Sequence, residues 1–179
     1  MTKGEHKRGA SDRCVPLFGQ FDQAKLERTF VDIQRIWYQD STTPVKLLLS
    51  SPGGDAFAAI SFRNAIKLDG ILLHVVVVGE AHSAAITILC SGVKRSAQRG
   101  AQFFFHPLEV VVAGSRYKRV ELQVYIGTLD NIDGDDTAII AGITRKTSDE
   151  IAGWKTAEKT FDAAGAKECG LIDEIIDFP

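Results

Sequence analysis

The sequence predicts an α/β domain built on a mainly parallel sheet. Three observations carry that reading. Short apolar runs alternate with segments of helical periodicity, as crossover units between parallel strands require. The run Ile71 to Val78 is almost continuously apolar and β-branched, which suits a strand covered on both faces. The segment Phe21 to Gln39 places Leu26, Phe30, Ile33 and Trp37 at the spacing of one helix face.

The elements follow in chain order. Val15 to Gly19 reads as a short first strand, and the Phe21 to Gln39 helix closes before Pro44. Val45 to Ser50 is an apolar strand running into the sharp turn Ser51-Pro52-Gly53-Gly54-Asp55. Phe57 to Leu68 is a helix ended by Asp69-Gly70, and Ile71 to Val78 is the buried strand. Ala81 to Ser91 reads as a helix of small residues; Arg95 to Ala97 and Gln102 to His106 read as strands. Tyr117 to Lys146 has helical character over some thirty residues, roughly 45 Å of helix, and Gly127, Gly134 and Gly142 are candidate break points. Thr147 with Glu150 forms a capping box for the next helix. Asp162 to Cys169 is a last helix, ended by Gly170, and Ile172 to Ile176 a last strand.

A chain of 179 residues is about one domain and is long enough to bury a core. Hydrophobic residues at 45% and charged residues at 25% are ordinary for a globular protein, and a net charge of −2 gives no footprint for nucleic acid or an anionic membrane. No apolar run approaches the ~18 residues needed to span a bilayer. The three cysteines, Cys14, Cys90 and Cys169, lack the spacing of a disulfide framework or a zinc site, and suit a reducing compartment. Met1 to Arg13 is polar and basic, without the apolar stretch of a secretory signal. The expectation is a flexible tail over residues 1–13, a single domain over 14–179, and a cytoplasmic location.

Three features carry chemistry. The glycine pair of the Ser51–Asp55 turn permits unusual backbone angles and exposes amide N–H groups, which suits an oxyanion or an ordinary tight turn. Gly79-Glu80-Ala81-His82-Ser83-Ala84-Ala85 sets Ser83 between a buried strand and a helix, as a nucleophile or as a plain N-cap. His106 follows Phe103-Phe104-Phe105 at a strand end, as a base or as a structurally satisfied histidine. His74 belongs to the core pattern, His6 to the tail, and His82 neighbours the serine while pointing elsewhere.

Taken in order, an SPGG turn after a strand, a G-x-x-x-S strand-to-helix turn about thirty residues on and a histidine about two dozen residues later resemble the Clp protease proteolytic subunit family. The ending Ala163-Ala164-Gly165-Ala166-Lys167-Glu168-Cys169-Gly170-Leu171-Ile172-Asp173 is similar to that family's close. The resemblance runs from about Val15 to Ile176 and implies a spiral of β-β-α units, shared with the crotonase superfamily, with a long projecting handle helix. It implies a serine endopeptidase acting on extended polypeptides through an acyl-enzyme, with Ser83 as nucleophile, His106 as base, and the Gly54 and Ala84 amides as oxyanion donors. Alignment of the closing motif without gaps sets Glu158 at the position of the triad acid, with Asp162 as the alternative. Substrate would add as a strand beside the segment opened by Asp55 and the segment Leu108 to Gly114, which includes Glu109. No metal or cofactor is implied.

The resemblance also implies a homo-oligomer, a heptameric ring or double ring joined through the handle. An AAA+ ATPase partner is left open, because the polar tail does not resemble the family's docking segment and the usual H-Q-P is here His106-Pro107. Two other readings share the fold: a crotonase-type acyl-CoA enzyme, and a catalytically impaired ring subunit acting as a scaffold.

Overall fold

The computed structural model describes residues 13–109 and 118–177. The tail up to residue 12, the substrate segment beyond Glu109 and the first residue of the Tyr117 helix lie outside the described residues.

Seven strands and six helices alternate in the described chain. The main sheet runs β1 (Cys14–Phe18), β2 (Val45–Ser51), β3 (Leu73–His82), β4 (Lys94–Gln98) and β7 (Glu174–Ile176), every neighbouring pair parallel. Crossovers are made by α1 (Gln23–Trp37), α2 (Ala56–Leu68) and α3 (Ala85–Leu89). Asp22 caps α1 by accepting the Lys25 amide, and Asp55 caps α2 by accepting the Ala58 amide. Leu26, Ile33 and Trp37 of α1 and Phe62 and Ile66 of α2 are buried with Leu47, Leu49, Val75 and Val77 of the sheet.

Strand β3 positions the site because it serves two partners in succession. His74 to Val77 pair with β4, and Glu80 to His82 pair with β5 (Gln102–Phe104). The changeover coincides with a register shift between Leu49 and Ser51 on β2. Gly79 lies so close to Ser50 that a Cβ would stand 2.6 Å from its Oγ, so a side chain there would block the approach. β5 in turn pairs antiparallel with β6 (Thr160–Asp162).

Two expectations are corrected. The helix expected over Ala81 to Ser91 is only five residues, Ala85–Leu89, because Ala81 and His82 extend β3 instead. Their backbone groups are met by β5, and Ser51 pairs with Ala81, so sheet hydrogen bonds override the helical propensity of the alanines. Gly127, Gly134 and Gly142 do not break the long helix, which runs unbroken as α4 over Arg119–Thr144. An exposed glycine costs a helix only about 1 kcal/mol against alanine, and the Lys118 amide is held by Glu121 at the helix entry. The capping box at Thr147 and Glu150 opens α5 (Ser148–Thr156) as expected. The last helix, α6 (Ala163–Glu168), has Asp162 as its cap.

Candidate active site

The end of β3, the turn after β2 and the end of β5 meet at one cavity of about 400 Å³. Ser83, Ala84, Gly54, His106, Leu108 and Glu109 line it. Asp55, Glu158 and Asp162 lie off that lining.

Ser83 occupies the turn between β3 and α3 with φ of 54°, the left-handed region that L residues other than glycine seldom adopt. Its amide donates to the Phe104 carbonyl at 2.9 Å, which anchors the turn to β5. Such strain persists only where the surroundings over-determine it, and it aims the serine side chain out of the sheet. The SPGG turn packs directly beneath. Gly53 has φ of 102°, and a Cβ there would stand 2.8 Å from the His82 carbonyl oxygen and 2.9 Å from Ser83 Cβ. Ser51 Oγ accepts the Gly53 amide at 3.1 Å. Gly54 bridges to Phe21, whose amide donates to the Gly53 carbonyl and whose carbonyl accepts the Asp55 amide. The Gly54 and Ala84 amides are left without an acceptor among the described residues. With α3 so short, these two N–H groups rather than a helix dipole are the donors the site offers.

His106 is half-buried and stacks on Phe104 with centroids 5.5 Å apart. Its Nδ1 lies 2.7 Å from the Pro107 carbonyl oxygen. A carbonyl only accepts, so Nδ1 is the donor in this contact, which leaves Nε2 as the ring nitrogen available to the cavity. Ser83 and His106 share the cavity without a hydrogen bond between them; catalytic contacts of this kind often tighten only around substrate.

Neither Glu158 nor Asp162 lines the cavity. The β5–β6 pairing sets Phe104 against Thr160, and the Phe105 amide donates to the Lys159 carbonyl, while Glu158 lies in the turn after α5, its amide donating to the Lys155 carbonyl. Glu158 is exposed, has φ of 49°, and its side chain has no polar partner among the described residues. Asp162 is committed to the cap of α6, accepting the Gly165 amide at 2.8 Å. The Asp55 carboxylate is likewise committed to its helix cap. His82 faces Glu80, Nδ1 to Oε2 at 3.4 Å, and is not part of the cavity wall.

Sequence reasoning missed the cavity floor. Thr87, Asp133, Asp136 and Lys155 all line it. Lys155 is buried, and its ammonium reaches Asp133 Oδ1 at 2.8 Å, Asp136 Oδ2 at 2.8 Å and Thr137 Oγ1 at 2.9 Å. Thr87 donates to the other oxygen of Asp136. The available signal was an interruption of pattern: Asp133 and Asp136 sit three apart, between Ile132 and Ile140 on the face of α4 that turns inward.

A mainly parallel sheet thus carries a left-handed serine between strand and short helix, with two acceptor-free amides and a histidine on the same cavity. The chain belongs to the Clp protease family, whose model matches residues 6–178. Its relatives include the ATP-dependent Clp protease proteolytic subunit 3 of Rhodococcus jostii, 25% identical over 92% of this chain and 81% of that protein. The ATP-dependent Clp protease proteolytic subunit 1 of Thermobifida fusca is 22% identical over 93% of this chain and 75% of that protein. The chloroplastic ATP-dependent Clp protease proteolytic subunit 4 of Arabidopsis thaliana is 26% identical over 93% of this chain and 56% of that protein. No described helix is long and apolar enough to cross a membrane.

Proposed function

We propose that this chain is a serine endopeptidase that cleaves extended polypeptides. The observation that carries the reading is the left-handed Ser83 set beside two acceptor-free amides, on the same cavity as a histidine whose Nδ1 is held by the Pro107 carbonyl. His106 Nε2 takes the Ser83 hydroxyl proton as Oγ attacks the peptide carbonyl, and the Gly54 and Ala84 amides receive the developing oxyanion. The same nitrogen then gives its proton to the leaving amine, and water hydrolyses the acyl-enzyme by the reverse sequence. Glu158, two residues before β6, is assigned as the third member, whose role would be to stabilise the imidazolium as that forms. Substrate lies as a strand beside Asp55 on one side and Leu108 and Glu109 on the other, held through backbone bonds. The working form is a homo-oligomeric ring in the cytoplasm, a location that suits three free thiols.

The test is acyl-enzyme trapping. A fluorophosphonate probe labels the folded chain, and Ser83→Ala abolishes both the label and the cleavage of casein or short peptides. Cleavage that survives in Ser83→Ala sinks the assignment. A second reading, a ring subunit of reduced activity, is favoured by one observation: the Pro107 carbonyl holds the Nδ1 proton where a triad acid would. Slow labelling of wild-type Ser83 together with intact assembly supports that reading.

A further inference from the structure

We infer that the cavity beside Ser83 selects a cationic side chain on the residue whose carbonyl is attacked, and that Asp133 is the group that reads it. The inference rests on the assignment of Ser83 as nucleophile, and it concerns what the cavity accepts rather than how the bond is cut.

The cavity has an apolar wall and a charged floor. Ile60, Ile86 and Ile140 contribute to the wall, and Asp133, Asp136 and Lys155 form the floor. Two carboxylates stand against one ammonium, so the floor carries one net negative charge. Its hydrogen-bonding capacity is one-sided. The ammonium of Lys155 has three protons, and these are taken by Asp133, Asp136 and Thr137. Both oxygens of Asp136 are engaged, one by Lys155 and one by Thr87. Asp133 is half-exposed to the cavity and uses only Oδ1; among the described residues no donor reaches Oδ2. The floor therefore has a vacant acceptor and no vacant donor.

That inventory sorts side chains. An acidic one would meet two carboxylates on a floor whose Lys155 protons are already engaged, and repulsion in a partly dried cavity is costly. An apolar one would fit the wall but cover Asp133 Oδ2 without replacing its water. Lysine or arginine runs its methylenes along the isoleucines and sets its charged head against Asp133, gaining a charge-assisted hydrogen bond. Lys155 fixes the carboxylate in place so that little ordering is needed on binding.

The experiment uses two matched series on the full chain. Fluorescein-labelled tetrapeptide amides ending in Arg, Lys, citrulline, Leu or Glu are titrated against Ser83→Ala, and the corresponding coumarin amides are assayed for cleavage by wild type. We expect Arg and Lys to bind about tenfold more tightly than citrulline or Leu, with Glu weakest, as one charge-assisted bond requires. In Ser83→Ala/Asp133→Asn the Arg-to-citrulline ratio falls to near one. The inference is overturned if Leu or Glu binds as well as Arg, if citrulline matches Arg, or if Asp133→Asn folds and leaves the ratio intact. Should that variant not fold, the Arg-to-citrulline comparison in Ser83→Ala decides alone. Failure of the peptidase reading is separately visible: wild type would cleave none of the coumarin amides and take no fluorophosphonate label.

Discussion

At the scale of single residues, the site depends on two backbone conformations that sterics disfavour. Ser83 is held left-handed, and Gly53 beneath it has a φ open only to glycine in practice. Gly53→Ala introduces a methyl group at 2.8 Å from the His82 carbonyl oxygen and 2.9 Å from Ser83 Cβ, against backbone that cannot step aside. The expected outcome is a loss of about 1–3 kcal/mol in stability and a fall of roughly 100-fold or more in kcat/KM, since small displacements at a nucleophile are costly. Denaturant melts and peptide kinetics check both; near-native kinetics would mean that the SPGG turn does not shape the elbow. A second prediction separates Glu158 from His106. The Pro107 carbonyl already fixes the ring tautomer, which is the larger part of what a triad acid does. Glu158→Gln should therefore cost only about 10- to 100-fold in kcat, far less than His106→Ala, against the ~10⁴-fold loss seen when a triad acid alone sets the tautomer. A loss as large as that of His106→Ala would show that Glu158, and not Pro107, orients the ring.

At the scale of elements, the sheet holds a polar row that links stability to pH. Ser96 on β4 donates its hydroxyl to Glu174 on β7 at 2.9 Å and lies 2.7 Å from His74 Nε2 on β3. The hydroxyl proton goes to the carboxylate, so His74 Nε2 is the donor in its contact with Ser96. This Ser–His–acid grouping differs from a catalytic one, because its serine sits in the middle and is fully buried. Burial first, and then the nearby Lys94 and Lys46, hold the His74 pKa below its ordinary 6.5. The unfolded chain therefore takes up the proton first as pH falls. Stability at this residue is intact above about pH 6.5 and declines below it, until the folded-state value is passed. Thermal melts should fall as pH drops from about 7 toward 5, and His74→Gln should flatten that slope; an unchanged slope would assign the loss to other groups. The elements themselves were mostly legible in the sequence. The Thr147 cap, the apolar β3 and the closing α6 follow from local patterns. What escaped was set by distant partners. β6 is three residues, Thr160–Asp162, and exists only because β5 offers it a ladder. The extension of β3 through His82 is likewise made by β5, in a stretch whose alanines locally favour a helix. Ser83 and His106 were legible by order and spacing, while the Asp133–Asp136–Lys155 floor joins α4 to α5 and needed the packing to be seen.

At the scale of the whole molecule, α4 divides into two parts. Its C-terminal half is tied down through Thr137, Ile140, Ala141 and Thr144, all buried. Its N-terminal half exposes Val120, Leu122, Val124, Tyr125 and Ile126, at 68%, 39%, 66%, 40% and 48%. Five sizeable apolar side chains within seven residues, on a helix about 39 Å long at 1.5 Å per residue, form a contiguous exposed surface that a lone subunit would leave in water. In the ring assembly proposed above, the same helix of another copy would cover it. A helix pair of this kind is self-complementary about a two-fold axis, so each apolar residue counts twice. Val120→Asp/Val124→Asp places up to four carboxylates in that contact while leaving the buried half of α4 untouched. Sedimentation velocity should show the wild-type assembly reduced to a half-sized or smaller particle, with circular dichroism unchanged. Cavity-based peptide binding in Ser83→Ala should survive the dissociation, because neither Val120 nor Val124 lines the cavity. A particle of undiminished mass would place the inter-ring contact elsewhere, and a monomeric wild type would remove the reason for the exposed helix altogether.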